Sequence, residues 1–300
     1  MATPDTPRLL LLGSDGQVGW ELCRTLAPVG QVIAASLGGE RGPAVDLADA
    51  ASVRRLFAET GPDAVINAAA YTAVDRAEEE PELAMAINGD ALGLIGQLAA
   101  EAGIPVVHYS TDFVFSGETD HPYREDDPAE PRSVYGKSKL AGERALLESG
   151  ATALIMRTAW VYGVRGSNFL LTMQRLFRER PELRVVDDQI GTPTWSRMLA
   201  EVTAQILYRG FRGDIDLDAV KGLYHVTSGG ATSWFGFAEA IRDASCLECR
   251  VLPIPTSEYP APAPRPAYSV LDTHLFSRTF GLVLPDWRQS LAMCLADLQR

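Results

Sequence analysis

Tyr135 and Lys139 stand four residues apart in Tyr135-Gly136-Lys137-Ser138-Lys139, a spacing that puts both on one face of a helix. Reducing a carbonyl needs a hydride on carbon and a proton on oxygen. A free phenol titrates near ~pH 10, too high to trade its proton readily at neutral pH. A lysine ammonium one turn away is expected to favour the phenolate and lower that value. Upstream, Ser110-Thr111-Asp112 closes an apolar run, and the Thr111 hydroxyl can bond the same carbonyl oxygen. A lone Tyr-x-x-x-Lys is common on solvated helix faces. Joined to this strand end, it marks Thr111, Tyr135 and Lys139 as the expected catalytic set.

A hydride needs a bound donor. Leu9-Leu10-Leu11-Leu12-Gly13-Ser14-Asp15-Gly16-Gln17-Val18-Gly19 sets a G-x-x-G-x-x-G between a strand and a helix. Gly13 permits the tight turn, Gly16 lets a pyrophosphate approach the backbone, and Gly19 lets helix and strand pack closely. The helix N-terminus then faces the phosphates. NAD-selective sites usually carry Asp or Glu about 20 residues past the glycines. Here that place falls on Ser36 in Ala34-Ala35-Ser36-Leu37, and Arg41 follows. The expected cofactor is therefore NADPH, with NADH possible. Asp46 and Leu47 serve either the adenine edge or the cap region of the next helix.

These residues need a scaffold, and the first half supplies a regular one. Strands are expected at 8–12, 32–35, 64–67, 106–110 and 154–157, with helices at 16–26, 52–59, 83–102 and 137–149. Short apolar strands alternating with amphipathic helices indicate an α/β, doubly wound parallel sheet of Rossmann type. After about residue 162 the rhythm loosens into helices at 168–180, 195–208 and 234–244 and strands at 184–186 and 223–226. The segment 253–266 holds too many prolines for a helix. The expected organisation is a cofactor-binding domain over 1–162, with 222–250 returning to it. A smaller C-terminal substrate-binding lobe would take 163–221 and 251–300.

Composition narrows the classes. A hydrophobic content of 46 % in 300 residues supports a full core. The start, MATPDTPR, lacks the apolar region of a signal peptide, and no stretch approaches the roughly 20 apolar residues of a membrane span. A cytoplasmic protein without membrane contact is expected. The net charge of −12 argues against nucleic acid. It also requires any dinucleotide or sugar diphosphate site to supply its positive potential locally. Cys246 and Cys249 form a C-x-x-C, but no second pair exists to complete a zinc site.

Seven stretches spread over nearly the whole chain then carry a resemblance. They are GSDGQVGWEL from Gly13, VINAAAYTAVDRAE from Val65, YSTDFVF from Tyr109, YGKSKLAGE from Tyr135, RTAWVY from Arg157, DQIGTP from Asp188 and RPAYSVLD from Arg265. The chain resembles the extended short-chain dehydrogenase/reductase superfamily and, within it, the dTDP-4-dehydrorhamnose reductases. The resemblance implies NADPH-dependent reduction of a dTDP-linked 4-keto sugar, for cell-surface polysaccharide. It implies Gly16, Gln17, Val18, Asp46, Leu47, Ala70, Tyr71 and Thr72 at the cofactor, with Tyr135 and Lys139. It implies Thr111, Asp112 and Trp160 at the sugar nucleotide, and Asn168 and Arg265 at its nucleotide end. Trp160 also reads as core, and Arg265 as surface. Similar dehydratases carry a glutamate after Thr-Asp to remove a proton; this chain has Phe113, which disfavours elimination.

One departure stands out. Some members of this family bind magnesium at a dimer interface through three glutamates. Glu21 matches the first, whereas Arg197 and Arg288 occupy the places of the others. Guanidinium groups cannot build a hard-cation oxygen cage, so no metal is expected, and either a monomer or a homodimer is compatible. Two other readings stay open: a cofactor-binding regulatory subunit similar to that of methionine adenosyltransferase, and a reductase or epimerase of another nucleotide sugar.

Overall fold

The computed structural model describes residues 6–298. Most of the polar start, on which the leader expectation rests, lies outside the described residues. Five strands come from the first half: β1 (Arg8–Leu12), β2 (Gln31–Ala35), β3 (Ala64–Asn67), β4 (Pro105–Thr111) and β5 (Thr152–Thr158). Gly222–His225 adds a sixth beside β5. The sheet order is sixth strand–β5–β4–β3–β1–β2, and every pair is parallel. The chain leaves β1 on one side to form β2 and returns on the other as β3. A crevice therefore opens at the carboxyl ends of β1 and β3, where doubly wound sheets bind ligands. Beyond β2, a single parallel bridge from Ser36 to Ala44 continues the sheet by one residue.

Both faces of the sheet are covered, which is why its strands are largely apolar. Leu9 and Leu11 pack with Leu22, Leu26, Leu199 and Ile206 on one face. Leu10 and Leu12 pack with Val53, Leu56, Leu92 and Ile95 on the other. Fully burying each such leucine contributes about 1.5–3 kcal/mol. The helical stretch Pro81–Ala102 is 22 residues long and apolar enough to cross a membrane, contrary to the sequence reading. It packs instead on the sheet beside the helix Val134–Glu148, with Leu92, Ile95 and Ala99 fully buried. Its turn Ala86–Asp90 is a π-helix, a local widening common at functional sites.

A second core holds Tyr162, Leu170, Phe177, Trp195, Phe237, Trp287 and Leu291. It joins the helices Phe169–Glu179, Trp234–Ala244 and Trp287–Leu298 to the parallel strand pair Glu182–Val186 and Arg250–Ile254. The layers divide differently from the expected boundaries. Ser196–Phe211, expected in the small lobe, packs on α1 (Gln17–Thr25) and covers the sheet with Leu199, Ile206 and Leu207. Trp234–Ala244, expected with the sheet, belongs to the smaller core. Both helices are amphipathic, and periodicity does not say which core an apolar face will meet. The strand Arg250–Ile254 and the helices His274–Phe280 and Trp287–Leu298 were not anticipated.

Candidate active site

The glycine loop is fixed by contacts that admit no side chain. Gly13 has φ of 79°, and a Cβ there would lie 2.6 Å from the Ala69 nitrogen. A Cβ on Gly19 would meet the Gly13 oxygen at 2.0 Å. Gly16 is different: it is exposed and is the N-cap of α1, with no side-chain cap and no acidic residue in the first turn. The Gly16 N–H donates to the Gly13 carbonyl at 3.1 Å, and the N–H groups of the turn that follows, with the helix dipole, suit an anionic ligand. Gln17 and Val18 follow on the same turn. Gln17 Oε1 accepts a bond from Asn168 Nδ2 at 3.0 Å.

At the end of β2 the Ser36 hydroxyl accepts the Gly39 N–H at 3.2 Å. The Arg41 guanidinium lies beside Cys23 on α1, where burial pushes the thiol up and the guanidinium opposes it. Asp46 forms its own turn, accepting the Ala48 N–H at 2.9 Å. The cap of the helix Ala50–Thr60 is Asp49, not Asp46. Leu47 is buried in the sheet's second face. Ala70, Tyr71 and Thr72 form the loop after β3. Asn88, from the π turn, accepts the Tyr71 N–H at 2.8 Å and donates to the Tyr71 carbonyl and to the Ser138 hydroxyl, each at 3.0 Å. One buried amide thus ties the loop after β3 to the helix carrying Tyr135.

That helix starts at Val134. Ser133 Oγ accepts the Gly136 N–H at 3.1 Å, and Glu78 accepts the Val134 N–H at 2.8 Å. Tyr135 is in its first turn, with Phe113 set edge-on at 5.6 Å between ring centroids. Thr111 Oγ1 donates to Asp112 Oδ1 at 3.1 Å and accepts the Phe113 N–H at 3.2 Å. Burial pushes the Tyr135 phenol up to about 12, with the Thr111 hydroxyl opposing. This reverses the expected lowering by Lys139, because the lysine's bonds go elsewhere. Its Nζ meets His108 Nε2 at 3.0 Å and the Tyr109 carbonyl at 2.7 Å. Burial in turn lowers Lys139 to about 8.

Asp112 is buried, and its Oδ2 makes no hydrogen bond. Burial raises its carboxyl to about 6, opposed by the Ser269 and Thr111 hydroxyls. Trp160, just after β5, stacks on Trp234, which packs against the smaller core. Two expected substrate contacts are otherwise engaged. Asn168 caps Phe169–Glu179 through the Leu171 N–H at 3.1 Å, and its Nδ2 also reaches the Gly163 and Arg165 carbonyls. Its amide links the small lobe to the glycine loop, which leaves it poorly placed to read a nucleotide. Arg265 donates to Asp75 Oδ2 at 2.8 Å and to the Ala263 carbonyl at 3.0 Å. It clips the proline-rich segment to the short helix Val74–Ala77, so it is not a free surface residue. Asn67, Asn88, His108 and Trp234 were missed by sequence reasoning, since single polar or aromatic residues inside apolar elements carry no spacing signal.

Glu21 is 1 % exposed and accepts from Arg197 Nε at 3.1 Å. Arg197 also pairs with Asp297. Arg288 stays apart, stacked over Trp287 at 4.3 Å. A surface hollow lined by Gly103, Thr152, Phe211 and Asp218 lies at the amino ends of β4 and β5 and holds none of these residues.

The family described as RmlD substrate binding domain matches residues 7–300. A dTDP-4-dehydrorhamnose reductase of Burkholderia thailandensis is 46 % identical, over 97 % of this chain and 99 % of its own. The reductase of Escherichia coli K12 is 44 % identical, over 97 % of each. Among solved structures, a dTDP-4-dehydrorhamnose reductase of Clostridium acetobutylicum superposes with a TM-score of 0.89 at 36 % identity, covering 98 % of this chain and 100 % of that one. The Bacillus anthracis reductase, solved in complex with NADP, gives 0.90 at 33 % identity, covering 97 % and 99 %.

Proposed function

The chain belongs to the dTDP-4-dehydrorhamnose reductase family, and from that premise we propose that it reduces the C4 keto group of dTDP-4-dehydro-L-rhamnose with NADPH. The observation that carries the reading is the convergence of Thr111, Tyr135 and Lys139 at the carboxyl end of β4, facing the glycine loop across the sheet's crevice. The residues fit a dinucleotide: Gly16 offers an uncapped helix N-terminus, and no carboxylate stands at Ser36 to repel a 2′-phosphate. Gly13, Gly19 and the loop Ala70–Thr72 shape the cradle, and Asp46 and Leu47 flank its adenine end.

NADPH, when bound, supplies the hydride. The protein's own groups handle oxygen and orientation. Tyr135 gives its phenolic proton to the C4 oxygen as charge develops there. The Thr111 hydroxyl bonds the same oxygen, and Lys139 holds the ribose and returns the tyrosine to its protonated state. Raised to about 12, the phenol keeps its proton until the alkoxide, a stronger base, demands it. The unpartnered Asp112 oxygen accepts a sugar hydroxyl, and Trp160 provides a flat apolar wall. Arg265 contributes positive charge at the rim, shared with Asp75. The smaller lobe is the substrate half of the molecule, and the enzyme works in the cytoplasm as a monomer or homodimer.

The test is NADPH oxidation with 4-keto-6-deoxy sugars linked to dTDP, UDP and GDP. Turnover is expected with the dTDP sugar and much less with the others. No turnover on any of them would overturn the assignment.

A further inference from the structure

Segment 163–168 joins Tyr162 of the second core to the helix Phe169–Glu179. On its way it lies against the first turn of α1. Asn168 Nδ2 donates to Gln17 Oε1 at 3.0 Å, and to the Gly163 and Arg165 carbonyls at 3.0 and 3.1 Å. Gly166 has φ of 73°, and a Cβ there would come within 3.2 Å of Gln17 Cγ. The backbone of Arg165 is therefore fixed beside Gln17, the first residue of α1.

The side chain goes the same way. The guanidinium carbon stands 4.8 Å from the centre of the Trp20 ring, inside the reach of a cation–π contact. Trp20 is three residues past Gln17, so the two share a face of α1. A helical aromatic leans towards the N-terminus of its helix. The ring is thus a shelf that holds Arg165 alongside the mouth of the glycine loop. Arg24 also approaches the ring, at 5.2 Å, but it sits about two turns past Gln17 and pairs with Glu21 at 3.6 Å. Arg165 is exposed, and among the described residues it pairs with no carboxylate.

A bound dinucleotide brings a dianionic pyrophosphate to this mouth. The chain carries −12 overall, and Asp15 adds an exposed carboxylate in the loop itself. A helix N-terminus offers only about half an elementary charge. We propose that Arg165, shelved on Trp20, is the cation that meets the cofactor's pyrophosphate, so that the small lobe completes the cofactor site. Its guanidinium gives forked donors to phosphate oxygens. The Asn168–Gln17 bond fixes the distance across which it reaches. The inference rests on the reading of residues 13–19 as the phosphate loop.

Equilibrium binding to the full chain, without turnover, tests this. Arg165→Met keeps the aliphatic stem and removes the charge. It is expected to weaken NADPH, NADH and ADP-ribose alike, by about 5–20-fold in Kd, because the pyrophosphate is common to the three. 2′-AMP, which lacks it, and dTDP, which takes the substrate side, should bind both proteins equally. Added salt should weaken NADPH less in the variant than in the wild type, since an exposed charge has gone. Arg165→Lys should recover part of the loss. Trp20→Leu leaves the guanidinium without its shelf and should lose about 2–5-fold; no loss there contradicts the shelf. A loss confined to NADPH would assign Arg165 to the 2′-phosphate, and a loss confined to dTDP would assign it to the substrate. Either overturns the proposal, as does an unchanged Kd in Arg165→Met. A wild type that binds none of the three ligands fails the cofactor reading itself, which keeps the two failures apart.

Discussion

Trp160 lies flat against Trp234, with ring centroids 3.6 Å apart and planes inclined by 4°. Trp160 also holds φ of 46°, a left-handed conformation that costs a bulky residue about 1–3 kcal/mol. The stack and the surrounding small-lobe core hold the indole in that strained position. Trp234→Ala is expected to raise the KM for the sugar nucleotide about 2–10-fold, the equivalent of a ~0.5–1.5 kcal/mol stacking contribution. Cofactor affinity should not change. Steady-state kinetics with each substrate varied checks this, and a KM change confined to the cofactor would place the ring pair at the wrong ligand.

Cofactor choice turns on Ser36. A carboxylate there repels a 2′-phosphate and accepts from a free 2′-hydroxyl. Ser36→Asp is expected to move the NADPH-to-NADH ratio of kcat/KM towards NADH by roughly 10–100-fold, the scale of one charged hydrogen bond. An unchanged ratio would mean that the ribose does not reach the end of β2.

Glu21 and Arg197 pair within one chain. Glu21 is buried at 1 % exposure with Arg24 3.6 Å away as a second partner, so Arg197→Leu leaves a buried charge held only by that longer pair and should cost up to about 3–5 kcal/mol. The double variant Glu21→Gln, Arg197→Leu should cost less than Arg197→Leu alone. Denaturant unfolding of the three proteins measures the difference. Activity is expected to survive EDTA; loss restored by magnesium would contradict the pairing.

Asp112 gives stability a pH signature. Its folded-state carboxyl is raised from 3.8 to about 6, so folding binds the proton more tightly than the unfolded chain does. The favourable contribution is present below about pH 4 and is lost as pH rises through 6. Asp112→Asn removes this loss. The variant should be the more stable protein at pH 8, by at most about 3 kcal/mol, with the gap closing near pH 4. Melting curves across that range check the sign.

The sheet was legible because its strands are continuous apolar runs: β1 and β3 fall where the pattern of Arg8–Leu12 and Ala64–Asn67 put them. Gly13 and Gly19 were legible for a similar reason, since each answers a local steric requirement. The motif Asp188–Pro193 was recognisable without an explanation. In the structure a Cβ on Gly191 would fall 2.5 Å from the Trp160 ring, so the glycine makes room for the indole. The network of Asn67, Asn88 and His108 was not legible. Its members sit 21 and 20 residues apart in the chain, and only the register of β3 beside β4 brings Asn67 opposite His108. The expected lowering of the Tyr135 pKa failed because spacing shows that two side chains share a face, whereas burial and bonding decide where the charge goes.

The most direct measurement is transfer from NADPH deuterated at the nicotinamide C4, followed by NMR of the sugar product, in the wild type and in Tyr135→Phe. The account predicts one deuterium at sugar C4. It also predicts a rate lowered by about 10²–10⁴ in the variant, with cofactor affinity unchanged. A product without deuterium at C4, or a variant keeping more than roughly a tenth of the rate, would contradict it.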